Sequence, residues 1–161
     1  MGMMNAIFVE NIDECEKLLE EFSPHLSIFD EWSFRFSFWE FYKYNPYFVL
    51  LEEDNQNVGL LPLWYISDKN KYFWFGDIGD DFDWQEETSF WVKDEKYLKP
   101  LVDVCPKSTI LNNLKEDVCT FFAGDKRFKK SLSKQVLSLD GVNSVYDFLM
   151  TINKKLRENL R

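Results

Sequence analysis

Residues 47–75 constrain the fold more than any other part of the chain. Tyr47–Glu53 (YFVLLEE) is rich in β-formers, DNQN (54–57) reads as a turn, and Val58–Ile66 reads as a second strand. A further turn, SDKNK (67–71), leads into a third strand, Lys71–Phe75. Strands joined by such short turns pair with their neighbours, which gives an antiparallel meander. Pro62 lies inside the second strand and has no N–H for the ladder. That strand therefore needs a bulge or an edge position at Pro62.

The flanking segments surround the meander with helices. Ala6–Glu10 reads as a short strand. Asn11 is placed to cap the helix that follows, with Glu14 completing a capping box. Leu18, Leu19 and Phe22 form its apolar stripe, and Ser23-Pro24 ends it. In residues 28–44, Trp32, Phe36, Trp39 and Tyr42 or Lys43 suit a helix, while Phe34, Phe36 and Phe38 alternate like a strand. Length favours the helix. After the meander, GDIGDDFDW (76–84) is an acidic loop. Thr88–Lys93 and Glu95–Val104 are expected to be helical, with Pro100 interrupting the second or marking a helix start. Thr109–Leu114 and Lys134–Leu139 are expected to be strands. The expected fold class is α/β mixed (α+β), a mostly antiparallel central sheet flanked by helices.

The chain ends on an amphipathic helix. Ser144 can cap it, with Asp147 in the capping-box position. Val145, Phe148, Leu149, Ile152, Leu156 and Leu160 recur on one face. No Gly, Asn or Pro follows as a stop signal, so the expectation is that more chain or a partner continues from it. The implied organisation is a domain over 1–143 and a bridging helix over 144–161.

Charge and composition narrow the function classes. The net charge of −9 is unevenly spread: residues 126–161 carry nine Lys/Arg against three Asp/Glu, and the acids concentrate in the preceding body. An acidic body argues against nucleic acid as a partner, because such binding leans on neutralising phosphates. The basic end suits an anionic partner or a solvated helix face. Sixteen Phe, seven Tyr and six Trp supply enough ring area for a well-packed core. Cys15, Cys105 and Cys119 are odd in number and lack CxxC spacing, which fits reduced thiols better than a disulfide framework. No apolar run reaches the ~20 residues of a membrane span and no basic leader opens the chain, so the location expected is cytoplasmic.

Few residues carry chemistry by themselves. Asp77, Asp80, Asp81 and Asp83 lie close together, but their spacing does not match a calcium loop, and turn formation explains the composition. His25 is the lone histidine and has no nucleophile motif nearby. Neither GxGxxG nor GxxxxGK[ST] occurs.

Several segments in order carry a resemblance: NPYFVLL (45–51), QNVGLLPLWY (56–65), YFWFGD (72–77), DDFD (80–83), and the closing VLSLDGVNSVYDFLMTINKKLRENLR with Lys155, Arg157, Asn159 and Arg161. This set resembles the N-terminal half of GNAT-like acyltransferases of the Fem peptidyltransferase and cellulose-biosynthesis-type acetyltransferase group, over roughly residues 28–161. The resemblance implies a GNAT-like fold whose acyl-donor site, for acetyl-CoA, another acyl-CoA or an aminoacyl-tRNA, lies mainly in a second half. The Q/R-x-x-G-x-G/A pyrophosphate signature is missing here, so donor binding by this chain alone is not expected. What the resemblance leaves to this chain is part of the acceptor cleft, with Phe75, Gly76, Asp77, Asp80, Asp81 and Trp84 as candidate lining and no catalytic residue assigned. The acceptor would be a sugar, peptide or amine, and the partner a second acyltransferase half or another copy of the chain. The competing expectation is a noncatalytic module that binds a glycan, peptide or protein.

Overall fold

The computed structural model describes residues 3–79 and 90–128, together with Ser144 and Asp147. Contacts divide the chain into two units, Met1–Phe128 and Lys129–Arg161, and each is described by itself. In the first unit the elements run β1 (Met4–Val9), α1 (Ile12–Phe22), α2 (Trp32–Tyr42), β2 (Asn45–Pro46), β3 (Phe48–Glu53), β4 (Gln56–Leu61), β5 (Leu63–Ile66), β6 (Lys71–Trp74), β7 (Trp91–Val92), α3 (Leu98–Asp103) and α4 (Glu116–Phe121). Short 3-10 turns precede α2 and α3 and join β5 to β6. The fold is mixed α+β, with every named strand pair antiparallel.

The expected meander is present, and Pro62 divides it. The chain from Gln56 to Ile66 is not one bulged strand. It breaks at Pro62 into β4, which belongs to a four-stranded sheet ordered β1-β3-β4-β7, and β5, which belongs to a three-stranded sheet ordered β2-β5-β6. Proline cannot donate to a ladder, so the run changes sheets where no N–H is available. The Pro62 carbonyl still accepts from Phe75 N (2.9 Å), and Tyr47 N donates to Leu63 O (2.8 Å), which keeps the two sheets in contact at the bend. The expected bulge occurs earlier. Leu51 pairs with Gly59 and Glu52 with Asn57, leaving Val58 as the extra residue. The β3–β4 turn uses Asp54 and Asn55, both at positive φ (51° and 63°), the geometry that tight hairpins require and that Asn and Asp tolerate.

Two hydrophobic clusters follow from the alternation of side chains along the strands. Phe48, Leu50 and Leu60 face α1 and α2, joining Cys15, Leu19, Trp32, Trp64 and Phe75. Val49, Leu51 and Leu61 face the other way, against Leu98, Leu101 and Val102 of α3 and Val118 of α4. Gly59 lies on that second face: a Cβ there would stand 3.2 Å from Val92 Cγ1.

Local signals explain the first helices. Asn11 caps α1, its side chain accepting from Asp13 N and Glu14 N, and Ser23 closes the helix. The ambiguous aromatic stretch is helical, and Lys43 ends α2 in the left-handed conformation (φ 55°). Two expectations are corrected. Residues 91–92 form β7 rather than part of a helix, because Trp91 pairs with Leu60 and Val92 with Gly59. Tertiary pairing there overrides a weak local helical pattern. Thr109–Leu114 is not a strand: Thr109 makes a single parallel bridge to Tyr72, and α4 begins two residues after Leu114. Pro100 sits in the first turn of α3, where its missing N–H removes no helix bond. The expected strand at 134–139 and the body of the closing helix lie outside the described residues. In the second unit, Asp147 N donates to Ser144 Oγ (3.1 Å) and Ser144 Oγ donates to Asp147 Oδ2 (2.9 Å), the cap contact expected there.

Candidate functional site

The turn that follows β6 is tied to the fold from three sides. Phe75 is fully buried, Gly76 takes φ 96°, and Asp77 is 1% exposed. Asp77 N donates to Trp74 O (2.8 Å), and Asp77 O accepts from Trp64 Nε1 (2.7 Å). Asp77 Oδ1 accepts from Gly79 N (2.6 Å), and Lys69 Nζ donates to the Ile78 and Gly79 carbonyls (2.7 and 3.0 Å). Arg35, 2% exposed on α2, donates through Nη1 to Phe75 O (2.7 Å) and through Nε to Phe29 O (2.5 Å), and its guanidinium lies 5.3 Å from the Trp91 ring centroid. Of the candidate residues, Phe75, Gly76 and Asp77 therefore form one packed turn. Asp80, Asp81 and Trp84 lie outside the described residues.

Arg35 is the residue that sequence reasoning passed over. It stands three residues after Trp32 and four before Trp39, on the same helical stripe, as the lone charged side chain between Glu31 and Glu40. A buried guanidinium needs acceptors, and here backbone carbonyls supply them. The signal was available: a basic residue on an aromatic stripe either spoils the stripe or anchors something beneath it.

A shallow groove of about 260 Å³ lies between the end of α1 and β7. Phe22, Pro24, Leu26, Phe90 and Trp91 line it, with Lys93 and Lys115 at its margin. Ordinary ligand pockets begin near 300 Å³, so this one would accept a single side chain or sugar-sized group. Lys93 is already engaged, 3.5 Å from Glu21 and 5.4 Å from the Phe22 ring centroid.

Other reactive groups serve the fold. Burial pushes the Cys15 and Cys105 thiols up to about 12, so neither is a thiolate nucleophile at neutral pH. Cys119 is exposed. His25 is exposed, its Nδ1 3.0 Å from Glu31 Oε1, and that carboxylate raises the imidazole above its ordinary value. Among the described residues, no group of three or more His, Cys, Asp or Glu is arranged to hold a metal ion, and no helix is long and apolar enough to cross a membrane.

The helix starts decide whether a coenzyme A pyrophosphate fits the described residues. It needs free amides and a positive helix end. Asn11 already occupies the amides of α1, and Asp13 and Glu14 stand in its first turn. Asp30 and Glu31 precede α2, while Glu116 and Asp117 open the six-residue α4. Carboxylates at these ends repel phosphate, so the starts of α1, α2 and α4 do not fit a pyrophosphate. Comparison with protein-family models, curated proteins and solved structures found no match.

Proposed function

We propose that the chain is the N-terminal half of a GNAT-like N- or O-acyltransferase that contributes acceptor-side surface, with the acyl-CoA site mainly in a second half. One observation carries this reading. Three of the segments that carry the resemblance, 45–51, 56–65 and 72–77, fold as antiparallel strands of two sheets that meet at Pro62, and the last of them ends in the anchored Phe75–Asp77 turn. An ordered set of short motifs gains weight when its members are neighbours in space. The poor fit of the α1, α2 and α4 starts to pyrophosphate supports placing the donor elsewhere.

The test combines two measurements. The chain alone, titrated with acetyl-CoA, shows no rise in melting temperature, since a ligand bound to the native state must raise it. The product of the reading frame continued past Arg161 transfers acetyl from acetyl-CoA to amine or hydroxyl acceptors presented as amino sugars and short peptides. A continued product that transfers no acyl group from any acyl-CoA or aminoacyl-tRNA overturns the enzyme reading.

A noncatalytic binding module is the second reading. The burial of Phe75 and Asp77 favours it, because that acid spends one oxygen on Gly79 N within its own turn. A natural stop at Arg161, together with a glycan or peptide that raises the melting temperature without being modified, would establish it.

A further inference from the structure

The groove between the end of α1 and β7 carries a charge as well as a shape. Its floor is apolar: Phe90 and Trp91 are 4% and 6% exposed, and Phe22 lines it beside them. Leu26 forms part of the wall and is 76% exposed. Its position is nonetheless fixed. Leu26 N donates to Asp30 Oδ2 (3.1 Å) and Ser23 Oγ donates to Asp30 O (2.8 Å), which ties the α1–α2 connection across its base. Three charged residues also line the groove: Glu21, Lys93 and Lys115. Glu21 is already spent, with Oε1 3.5 Å from Lys93 Nζ and Oε2 accepting from Asn57 Nδ2 (3.0 Å). Lys115 is half-buried, and among the described residues it makes no ion pair and no side-chain hydrogen bond. Its helix does not account for it. Lys115 stands at the N-cap of α4, a place that favours Asn, Asp or Ser, and its side chain makes no cap. Glu116, next in the chain, is exposed and does not line the groove.

We propose that this groove binds a small aryl carboxylate, with its ring against Phe22, Trp91 and Leu26 and its carboxylate on Lys115. Charge selects the occupant. A chain of net charge −9 carries here an uncompensated ammonium at the margin of an apolar groove. A partly desolvated cation gains more from an anion than one in open water does, because the surrounding dielectric is lower. An amine would meet like charge, and a neutral arene would leave Lys115 without a partner. The three rings in the lining favour an aromatic body, which they meet edge to face or offset. A space of about 260 Å³ lies below the range of drug-sized pockets and limits that body to a single ring with a short acidic arm. The site rests on neither reading of the chain's activity, since none of its residues belongs to the Phe75–Asp77 turn.

Nuclear magnetic resonance titration of the isotope-labelled full chain with phenylacetate reads the proposal directly. Signals of Leu26, Trp91 and Lys115 should shift together, with a dissociation constant of about 1 mM, as befits a small ligand in a shallow groove. Phenylacetamide has the same shape without the charge, and acetate has the charge without the ring. Each should bind at least about fivefold more weakly than phenylacetate. Lys115→Gln should lower phenylacetate to the level of the amide, whereas Lys115→Arg should keep the preference for the acid. Leu26→Ser should weaken acid and amide alike. All three variants change side chains outside the buried core and should retain the native circular dichroism. Equal binding of acid and amide, a preference that survives Lys115→Gln, acetate binding as tightly as phenylacetate, indifference to Leu26→Ser, or no shift at roughly 20 mM phenylacetate would each overturn the proposal.

Discussion

Helices α1 and α2 cover one face of the four-stranded sheet and α3 and α4 the other, but the two layers are held differently. On the α3/α4 side, aliphatic side chains such as Leu98, Leu101 and Val102 fit against Val49, Leu51 and Leu61, and the cluster contains no buried charge. On the α1/α2 side, rings dominate and polar ties run through them: Arg35 to the carbonyls of Phe29 and Phe75, Trp64 to Asp77. The first layer depends on shape, which degrades by increments. The second depends on a few bonds made in a dry environment, where losing one member leaves its acceptors stranded. A buried network of this kind fixes where a particular loop must lie, and here that loop is the Phe75–Asp77 turn.

Four measurements sharpen or break this contrast. Arg35→Ala should have the largest effect, a loss of about 4 kcal/mol by chemical denaturation, since it strands two buried carbonyls and empties space beside Trp91. Leu101→Ala, its counterpart on the other face, should lose about 3 kcal/mol and leave the native near-ultraviolet signal of the α1/α2 rings intact. If Leu101→Ala erased that signal while Arg35→Ala kept it, the assignment of the two layers would be wrong. Gly79→Ala should lose about 2 kcal/mol. Its Cβ would fall 2.5 Å from Phe73 Cε1 at a φ of +68°, adding overlap to backbone strain.

The smallest effects are electrostatic and oppose one another in pH. His25 in the α1–α2 connection has a folded pKa above 6.5, raised chiefly by its hydrogen bond to Glu31. Its contribution is complete below that ordinary value and is lost as pH rises through the folded one. Asp125, beyond α4, is held down to about 2 by Arg127, so its contribution is complete above the ordinary 3.8 and is lost as pH falls from there toward about 2. Melting scans should therefore show a small decline as pH rises beyond 6.5 that His25→Gln removes, and a separate acid-side decline that Asp125→Asn removes. Both groups are exposed, and salt should shrink both effects.

The parts of this architecture legible in the sequence are those set by local chemistry. Asn11, the DNQN turn and the β-branched and aromatic runs at 47–53 and 71–75 each specify their own conformation. The parts that escaped are set by partners distant in the chain. Trp91 and Val92 are a strand because Leu60 and Gly59 lie beside them, and nothing in residues 88–93 states that. Pro62 announced a disturbance without saying that the strand would change sheets, because that outcome depends on Tyr47 and Phe75 bonding across the bend. At the candidate site, the motif GD at 76–77 marked a turn correctly. Its burial came from Arg35 and Trp64, one on a helix and one on another strand, and no local window contains all of them.

The three cysteines occupy three depths: Cys15 buried against the Val9 carbonyl, Cys105 half-buried behind Leu101, and Cys119 at the surface. A thiol reagent should therefore read the molecule as a clock with three hands. Cys119 reports the resting surface, Cys105 the loosening of the helical cover on one face, and Cys15 the separation of α1 from the sheet. Their relative labelling rates would rank how easily each layer opens, with no substitution introduced at all.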